Sequence, residues 1–264
     1  MSDPQSGPAS SRRSRLLPLV IVGTGLVLAI IIYLVRSRQP ASPPPPAPVA
    51  SPSASPETAG PATSLPPLGQ SDARVRELLG LLSPRPEFQQ WLASTEDLVR
   101  RFASAVGNIA EGESPRAALS FLAPQGGFKT VEREGHHFIA PESFARYDGV
   151  VSVVSSLDTQ TSALTYRALK PLIDEAYREI SRPNQRFEQT LAQALQRMLD
   201  TPVPEGDIEV VETPGVHFNY AAPELEQLSA AQKHLVRMGP ANARALQAKL
   251  RELRDALALP PVSR

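Results

Sequence analysis

The chain has 264 residues, with 27 lysines and arginines matched by 27 aspartates and glutamates, 28 prolines and no cysteine. The absence of cysteine excludes disulfide bonds, a thiolate zinc site, a cysteine nucleophile and a lipid-modified N-terminal cysteine. A length near 260 residues accommodates one large domain, or one medium domain with appended segments. Fourteen of the prolines precede position 70, so the first quarter of the chain differs physically from the rest.

Residues 16–35 form an uncharged apolar run, LLPLVIVGTGLVLAIIIYLV. As a helix with a rise of about 1.5 Å per residue, this run spans roughly 30 Å, the hydrocarbon thickness of a bilayer. Low-complexity flanks disfavour a buried core helix, and the residues after Val35 make a poor signal-peptidase site. We therefore predict one uncleaved transmembrane helix, in contact with the lipid bilayer from Leu16 to Val35.

The arginines that flank this run indicate its orientation. Three arginines precede the run and two follow it, and the positive-inside rule places the more basic flank in the cytoplasm. This predicts a cytoplasmic N-terminal tail over residues 1–15 and export of everything after the span. The reversed topology, with a cytosolic tethered domain, stays open because the difference is a single arginine.

Residues 36–71 are dominated by proline, alanine and serine. The stretch 39–70 contains eleven prolines and one charged residue, Glu57, and cannot bury enough apolar surface to offset its ordering entropy. In the polyproline II conformation that its prolines favour, the stretch reaches on the order of 100 Å. We interpret 36–71 as a disordered, semi-stiff spacer. A docking site for a proline-reading domain is the alternative.

Residues 72–258 have the composition of a folded domain, and 259–264 are expected to form a flexible tail. From Asp72 onward, 22 basic residues stand against 25 acidic ones, a net charge of −3. The domain therefore lacks the basic footprint of a nucleic-acid-binding protein, and no nucleic-acid partner is expected. About 190 residues are enough for one ordinary hydrophobic core.

Apolar spacings of three, four and seven residues predict a series of helices in this domain. One apolar stripe runs from Phe88 to Val106, and Gly107 is expected to cap its C-terminal end. The next helical pattern covers 160–180. Pro171 lies inside it, which predicts either a kink or a junction between two helices.

The last third of the domain is also predicted to be helical. Asn184 is expected to cap the helix whose apolar face begins at Phe187. Gly239-Pro240 is expected to separate a final pair of helices, the first over 229–238. The second carries leucines at helical spacing, namely Leu246, Leu250, Leu253 and Leu257.

Two short β-hairpins interrupt the helices. Their strands are predicted at 128–133 and 136–140, around Glu134-Gly135, and at 208–211 and 216–220, around Thr213-Pro214-Gly215. An isolated hairpin is marginally stable, so the two are expected to pair into one small antiparallel sheet covered by helices. The predicted fold is mainly α, of the α+β class, preceded by the transmembrane helix and the linker.

The histidines of the two hairpins are the strongest candidates for a metal site. His136 and His137 lie beside Glu134, and His217 lies in the other hairpin. Adjacent strand residues point to opposite faces, so His136 and His137 cannot easily share one ion. We expect a solvated turn rather than a metal site.

Other polar groups also fail to make a recognisable site. Asp174 and Glu175 beside Arg178 are typical of a charged helix face. Gly126-Gly127 lacks the Lys-Ser/Thr that follows a phosphate-binding loop. Two serines, Ser114 and Ser143, lack the G-x-S-x-G setting of a nucleophile elbow. No catalytic residue, cofactor-binding residue, cofactor or metal ligand is predicted.

Several stretches of the folded domain resemble the uncharacterised proteobacterial domain-of-unknown-function family 3014. They are RPEFQQWL at 85–92, FLAPQGGFKTVEREG at 121–135, ARYDGVVSVVSSLD at 145–158, LKPLIDEAYREI at 169–180 and QKHLVRMGPANARALQAKLREL at 232–253. The resemblance implies a bacterial envelope protein with a membrane anchor and a proline-rich spacer. It implies no activity, substrate or catalytic residue.

These observations favour a single-pass protein of the bacterial inner membrane that presents a helical scaffold or binding domain in the periplasm. The expected partner is an envelope protein or a cell-wall component. An envelope enzyme with a non-obvious active site is the first alternative, and the reversed topology is the second. A deep polar pocket lined by several histidines and acids favours the enzyme, whereas an exposed apolar groove favours the binding domain.

Overall fold

The computed structural model describes residues 65–214 and 217–262. The predicted transmembrane helix and most of the predicted linker lie outside these residues. Over the described ranges, no helix combines the length and the apolar character needed to cross a membrane. The helices are α1 (Asp72–Gly80), α2 (Pro86–Ser94), α3 (Leu98–Glu111), α4 (Pro141–Ala145), α5 (Asp148–Ser155), α6 (Thr159–Ile180), α7 (Phe187–Leu199), α8 (Pro223–Glu226), α9 (Ala230–Arg237) and α10 (Pro240–Leu257). The strands are β1 (Thr130–Arg133), β2 (His136–Ile139), β3 (Glu209–Thr213) and β4 (His217–Tyr220).

The larger core, called the helical core below, lies where α3 packs against α6 and α7. Its centre is Phe187, which is 1% exposed and whose ring lies 5.4 Å from that of Tyr177. The Tyr177 hydroxyl forms a hydrogen bond of 2.7 Å with Thr190 Oγ1. Leu65 and Leu68 pack against this core, although both precede the predicted start of the folded domain. The buried members are Leu68, Val75, Leu92, Leu98, Val99, Ala103, Val106, Leu169, Leu172, Ile173, Ala176, Tyr177, Phe187, Leu191, Ala194 and Leu195.

The apolar stripe predicted as one helix from Phe88 to Val106 is divided between α2 and α3. The backbone is extended at Thr95, and Asp97 adopts a left-handed conformation with φ 55°. Gly107 lies inside α3 and is not its cap. The helix ends at Glu111, and Gly112, with φ 84°, supplies the left-handed C-terminal residue.

Polar side chains of α1 hold the chain at this break. Arg76 donates hydrogen bonds to the carbonyl oxygens of Leu92 and Thr95, at 2.9 and 2.8 Å. The carboxylate of Asp72 accepts from the backbone N–H groups of Asp97 and Leu98, at 2.8 and 3.1 Å. These bonds satisfy backbone groups that the interrupted helices leave unpaired. The prediction of one helix was wrong, because the spacing of apolar residues carries no information about contacts with residues far away in the sequence.

The other predicted helices, α6, α7, α9 and α10, follow the predicted order, with one change at a helix start. No helix was predicted for the residues of α1, α4, α5 and α8. Pro171 lies within the single helix α6. Asn184 does not cap α7, because it has φ 69° in the preceding turn and Arg186 occupies the N-cap position. Gly239 separates α9 from α10 as predicted, and Ser229 caps α9 with a reciprocal capping box.

The two predicted hairpins form one antiparallel sheet of four strands in the order β1-β2-β3-β4. Its hairpins pair through β2 and β3, where His137 lies opposite Val210. Glu134 and Gly135 both have positive φ, at 54° and 81°, as a tight two-residue hairpin turn requires. The structure therefore confirms a mainly helical domain with a small antiparallel sheet.

A second, smaller core, called the sheet core below, lies where the sheet meets α8 and α9. Its buried members are Ile139, Ile208, Val210, Tyr220, Leu225 and Val236. Phe128, Phe144 and Phe218 are partly buried against it. Two of them, Phe128 and Phe218, also line a cavity beside the sheet core.

Candidate functional site

A cavity of about 470 Å³ lies beside the sheet core. Ligand pockets that take small organic molecules usually measure about 300–1,000 Å³, so this cavity has a suitable size. Its walls come from the turns after α3, the segment before β1, the α4–α5 region, β4 and the end of α9. The lining residues are Pro115, Arg116, Leu119, Leu122, Ala123, Pro124, Gly126, Phe128, Arg146, Tyr147, Val150, Phe218, His234, Arg237 and Met238.

Helix α9 supplies two of the polar lining residues, His234 and Arg237, which lie one turn apart. Between them, Leu235 and Val236 are 0% and 1% exposed and attach the opposite side of the helix to the protein interior. Lys233 forms an ion pair with Glu226. The orientation of α9 is therefore fixed by buried apolar contacts and a cap, and His234 and Arg237 line the cavity.

The cavity is cationic. Arg116, Arg146 and Arg237 line it, and no aspartate or glutamate of the described residues does. None of these three arginines forms an ion pair within residues 65–214 and 217–262. Guanidinium groups without an ion pair in a concave site favour an anionic ligand, because each offers a planar set of donors to a carboxylate or phosphate. The charge of Arg237 also acts on Glu226, whose pKa is lowered by the hydrogen bond from Lys233 and further by Arg237.

The three arginines are not equivalent. Arg146 is already engaged, because it donates to the carbonyl oxygens of Ser143 and Gly126, at 3.2 and 3.0 Å. Arg237 lies over the ring of Tyr220, with 6.0 Å between its guanidinium carbon and the ring centroid. Arg116 is exposed, and no hydrogen bond from its guanidinium is seen among the described residues. Arg116 and Arg237 are therefore the groups most available to a ligand.

His234 lies close to both of these arginines. Its Nε2 atom is 2.7 Å from Ser114 Oγ. Burial lowers the pKa of the His234 imidazole, and the positive charges of Arg237 and Arg116 lower it further. The ring is therefore held in its neutral form at pH values where an ordinary histidine is partly charged. A bound anion would reverse this effect and raise the pKa.

The rest of the lining is largely apolar. The rings of Phe128 and Phe218 lie with their centroids 5.5 Å apart. Tyr147 lies beneath the guanidinium of Arg146, 5.6 Å from its carbon. The aliphatic members are Leu119, Leu122, Val150 and Met238. The cavity thus combines cationic groups with aromatic and aliphatic surface.

Two of the histidines considered for a metal site, His136 and His137, have different neighbours. His136 Nδ1 lies 2.6 Å from Glu209 Oε1, and the His137 ring packs 6.4 Å from that of Phe218. Nowhere in the described residues do three metal-ligating side chains cluster. The side chain of His217 lies outside the described part.

Of the other polar groups considered in the sequence, Asp174 and Ser143 form hydrogen bonds away from the cavity. Asp174 Oδ2 accepts a hydrogen bond of 2.7 Å from Lys170 Nζ. Ser143 is buried and bonds through its Oγ to both the N–H and the carbonyl of Lys129. Ser114 is the exception, because it contacts His234 at the cavity.

No sequence pattern pointed to the polar residues of the cavity, namely Arg116, Arg146, His234 and Arg237. They are separated by up to about 120 positions, and no local motif contains them together. One signal was present nevertheless. Three of the five stretches that carry the family resemblance, at 121–135, 145–158 and 232–253, provide most of the cavity wall.

The described residues form a mainly helical α+β domain with one small sheet and a cationic cavity beside it. A second arginine-lined pocket, with Arg178, Arg182 and Arg186, lies between α6 and α7. The family model described as protein of unknown function (DUF3014) matches residues 98–254, more than half of the chain. The protein belongs to this family. No curated protein and no solved structure matches the chain significantly.

Proposed function

We propose that the protein is a single-pass protein of the bacterial inner membrane whose periplasmic domain binds an anionic partner in the cavity. The observation that carries this proposal is a concave lining with three arginines and no described carboxylate. Sites for acid–base catalysis usually combine groups with opposed roles. A lining of cations, one neutral histidine and apolar surface, without a described carboxylate, is better suited to binding.

The anchor and the location rest on the sequence. Residues 16–35 have the length and hydropathy of a transmembrane helix, and 36–71 have the composition of a spacer. Such a spacer holds the domain at a distance from the bilayer, where an envelope protein or a cell-wall component is within reach. The arginine difference across residues 16–35 favours the periplasmic side.

Hydrolysis is the second candidate function, because Ser114 Oγ lies 2.7 Å from His234 Nε2. A serine nucleophile needs such a base, and the base needs a third group that orients it. Ser114 Oγ already accepts a hydrogen bond of 3.3 Å from the N–H of Arg116. No carboxylate bonds to His234 among the described residues. Binding is therefore favoured over hydrolysis.

A crosslinked pull-down from bacterial membranes tests the binding function. The tagged full-length protein is compared with a variant that lacks residues 72–264, and enriched proteins or glycans are identified by mass spectrometry. The cavity variant Arg116→Ala with Arg237→Ala is run beside the matched control Arg244→Ala with Arg251→Ala, two exposed arginines outside the cavity. We expect a partner that the wild type and the control retain and the cavity variant loses. A partner retained equally by all three full-length proteins would contradict the proposal.

The location is tested separately. A reporter that is active only after export is fused after Arg264, and a cytosol-only reporter is fused at the same place. We expect activity from the first fusion alone. Activity of the cytosolic reporter would establish the reversed topology and leave the binding function of the cavity to the pull-down.

A further inference from the structure

The balance of charge in the cavity restricts the kind of anion. Arg146 is engaged by two carbonyl oxygens, and His234 is held neutral. Arg116 and Arg237 remain as the two available cations. The cavity meets α9 at its C-terminal turn and α5 at its N-terminal turn, so the two helix dipoles act in opposite directions and the arginines supply the positive charge. With only two available cations in a largely apolar lining, a singly charged anion leaves less charge to be desolvated than a dianionic phosphate.

The apolar lining restricts the rest of the ligand. Phe128, Phe218 and Tyr147 offer aromatic surface, and four aliphatic side chains add to it. A ligand gains affinity here by burying an apolar group against these side chains. The absence of a described carboxylate from the lining also disfavours a ligand with a free amine, since a buried ammonium needs a counter-charge.

We infer that the cavity binds a carboxylate attached to an apolar group without a free amine, with the carboxylate held by Arg116 and Arg237. The C-terminal end of a peptide with an apolar last residue has this chemistry, and so does a small N-acylated amino acid. The inference rests on the proposed binding function and names its ligand class. Guanidinium and carboxylate match as a bidentate pair, and the apolar group lies against Phe128 and Phe218.

The test compares matched ligands on the full-length protein in lipid nanodiscs, with empty nanodiscs as the blank. The probes are N-acetyl-phenylalanine, its uncharged amide, phenyl phosphate, and an octapeptide that ends in phenylalanine as the free acid or the amide. Calorimetry gives the affinities. We expect each acid to bind roughly tenfold or more tightly than its amide, because charge-assisted hydrogen bonds are lost in the amide.

Two variants connect this preference to the cavity. Arg116→Ala with Arg237→Ala is expected to remove the preference for acid over amide, whereas Arg244→Ala with Arg251→Ala is expected to keep it. Binding of the acid is also expected to raise the pKa of His234, followed by NMR of the labelled imidazole. The control variant is expected to show the same shift in the pKa of His234, which a protein that had lost its fold would not show.

Each outcome separates the alternatives. Equal affinities for acid and amide, or tighter binding of phenyl phosphate than of N-acetyl-phenylalanine, would overturn the carboxylate assignment. Tighter binding of the peptide acid than of the small acid identifies a peptide C-terminus as the source, and equal binding identifies a small acid as sufficient. If neither acid binds while the pull-down partner still depends on Arg116 and Arg237, only this inference fails. If the pull-down partner does not depend on them, the proposed function fails.

Discussion

The helical core contains more buried residues than the sheet core. Sixteen buried residues form the first, around the rings that surround Phe187, while six form the second. Beside the sheet core, three arginines have no ion-pair partner among the described residues, and aromatic rings are only partly covered. The difference indicates that the helices supply most of the stability, and that the sheet side keeps cationic and apolar surface available for a ligand.

Replacing Phe187, at the centre of the helical core, tests whether the helices supply most of the stability. Phe187→Ala leaves a cavity among Phe102, Tyr166 and Tyr177, whose rings lie within 6.4 Å of Phe187 by centroid. We expect the free energy of unfolding to fall by about 3–5 kcal/mol. Denaturant unfolding of the full-length protein measures it. A loss below about 1 kcal/mol, as for an exposed side chain, would show that the helical core does not dominate.

The junction between α9 and α10 tests how closely the sheet side is packed. Gly239 has φ 84° and ψ 161°, a region that only glycine adopts readily, and a Cβ there would lie 2.5 Å from Phe144 Cγ. Gly239→Ala is expected to cost at least about 2 kcal/mol from strain and overpacking.

Gly149 gives the matched control for this substitution. It lies in α5 with no atom within 4 Å of a Cβ built there. Gly149→Ala is expected to be stabilising by roughly 0.5–1 kcal/mol, because alanine favours the helix and restricts the unfolded chain. Equal effects of the two substitutions on the thermal midpoint would contradict the packing described at Gly239.

Two tyrosines at the helical core differ in whether their hydroxyl is paired. Tyr177 bonds to Thr190, whereas the buried Tyr166 hydroxyl finds no partner among the described residues. Tyr177→Phe is expected to destabilise the protein by about 1 kcal/mol, and Tyr166→Phe to be neutral or slightly stabilising. Chemical denaturation of both variants side by side measures the difference. The opposite order would contradict this account of the core.

The cavity arginines are expected to matter little for stability. Arg116→Ala with Arg237→Ala removes two side chains that form no ion pair in the described part of the chain. We expect a change of no more than about 0.5 kcal/mol per substitution. A larger loss in the urea midpoint would mean that these arginines support the fold.

The pH dependence of stability tests the lowered pKa of the His234 imidazole. Its folded-state pKa lies below its unfolded value, so the unfolded chain binds the proton more readily. The stability that the neutral ring contributes is complete above the unfolded pKa of about 6.5 and falls as the pH drops through it. We expect the thermal midpoint of the wild type to fall more between about pH 7.5 and 5 than that of His234→Gln. Parallel curves would contradict the assignment.

Local patterns were sufficient for much of the fold. The turn Glu134-Gly135, the helical spacing of the leucines in α10 and the joint at Gly239 each depend on neighbouring residues, and each was predicted. The break at Thr95 was not, because Asp72 and Arg76 stabilise it from about 20 positions away.

The candidate site could not be predicted from local patterns, because its residues are far apart in the sequence. Ser114 and His234 are 120 positions apart, and a single arginine in each wall carries no motif. Only the folded chain brings these groups together, since a cavity depends on which helix and strand become neighbours. The stretches that carry the family resemblance include most of the wall residues, but the resemblance predicted neither the cavity nor its chemistry.

Site-specific photocrosslinking in living cells tests the central claim most directly. A photoreactive residue replaces either Val150, which lines the cavity, or Leu164, which is 63% exposed on α6. We predict a specific adduct from position 150, lost when Arg116 and Arg237 are changed to alanine, and no adduct from position 164. An adduct from position 164 alone would move the binding surface to the helical side and contradict the account.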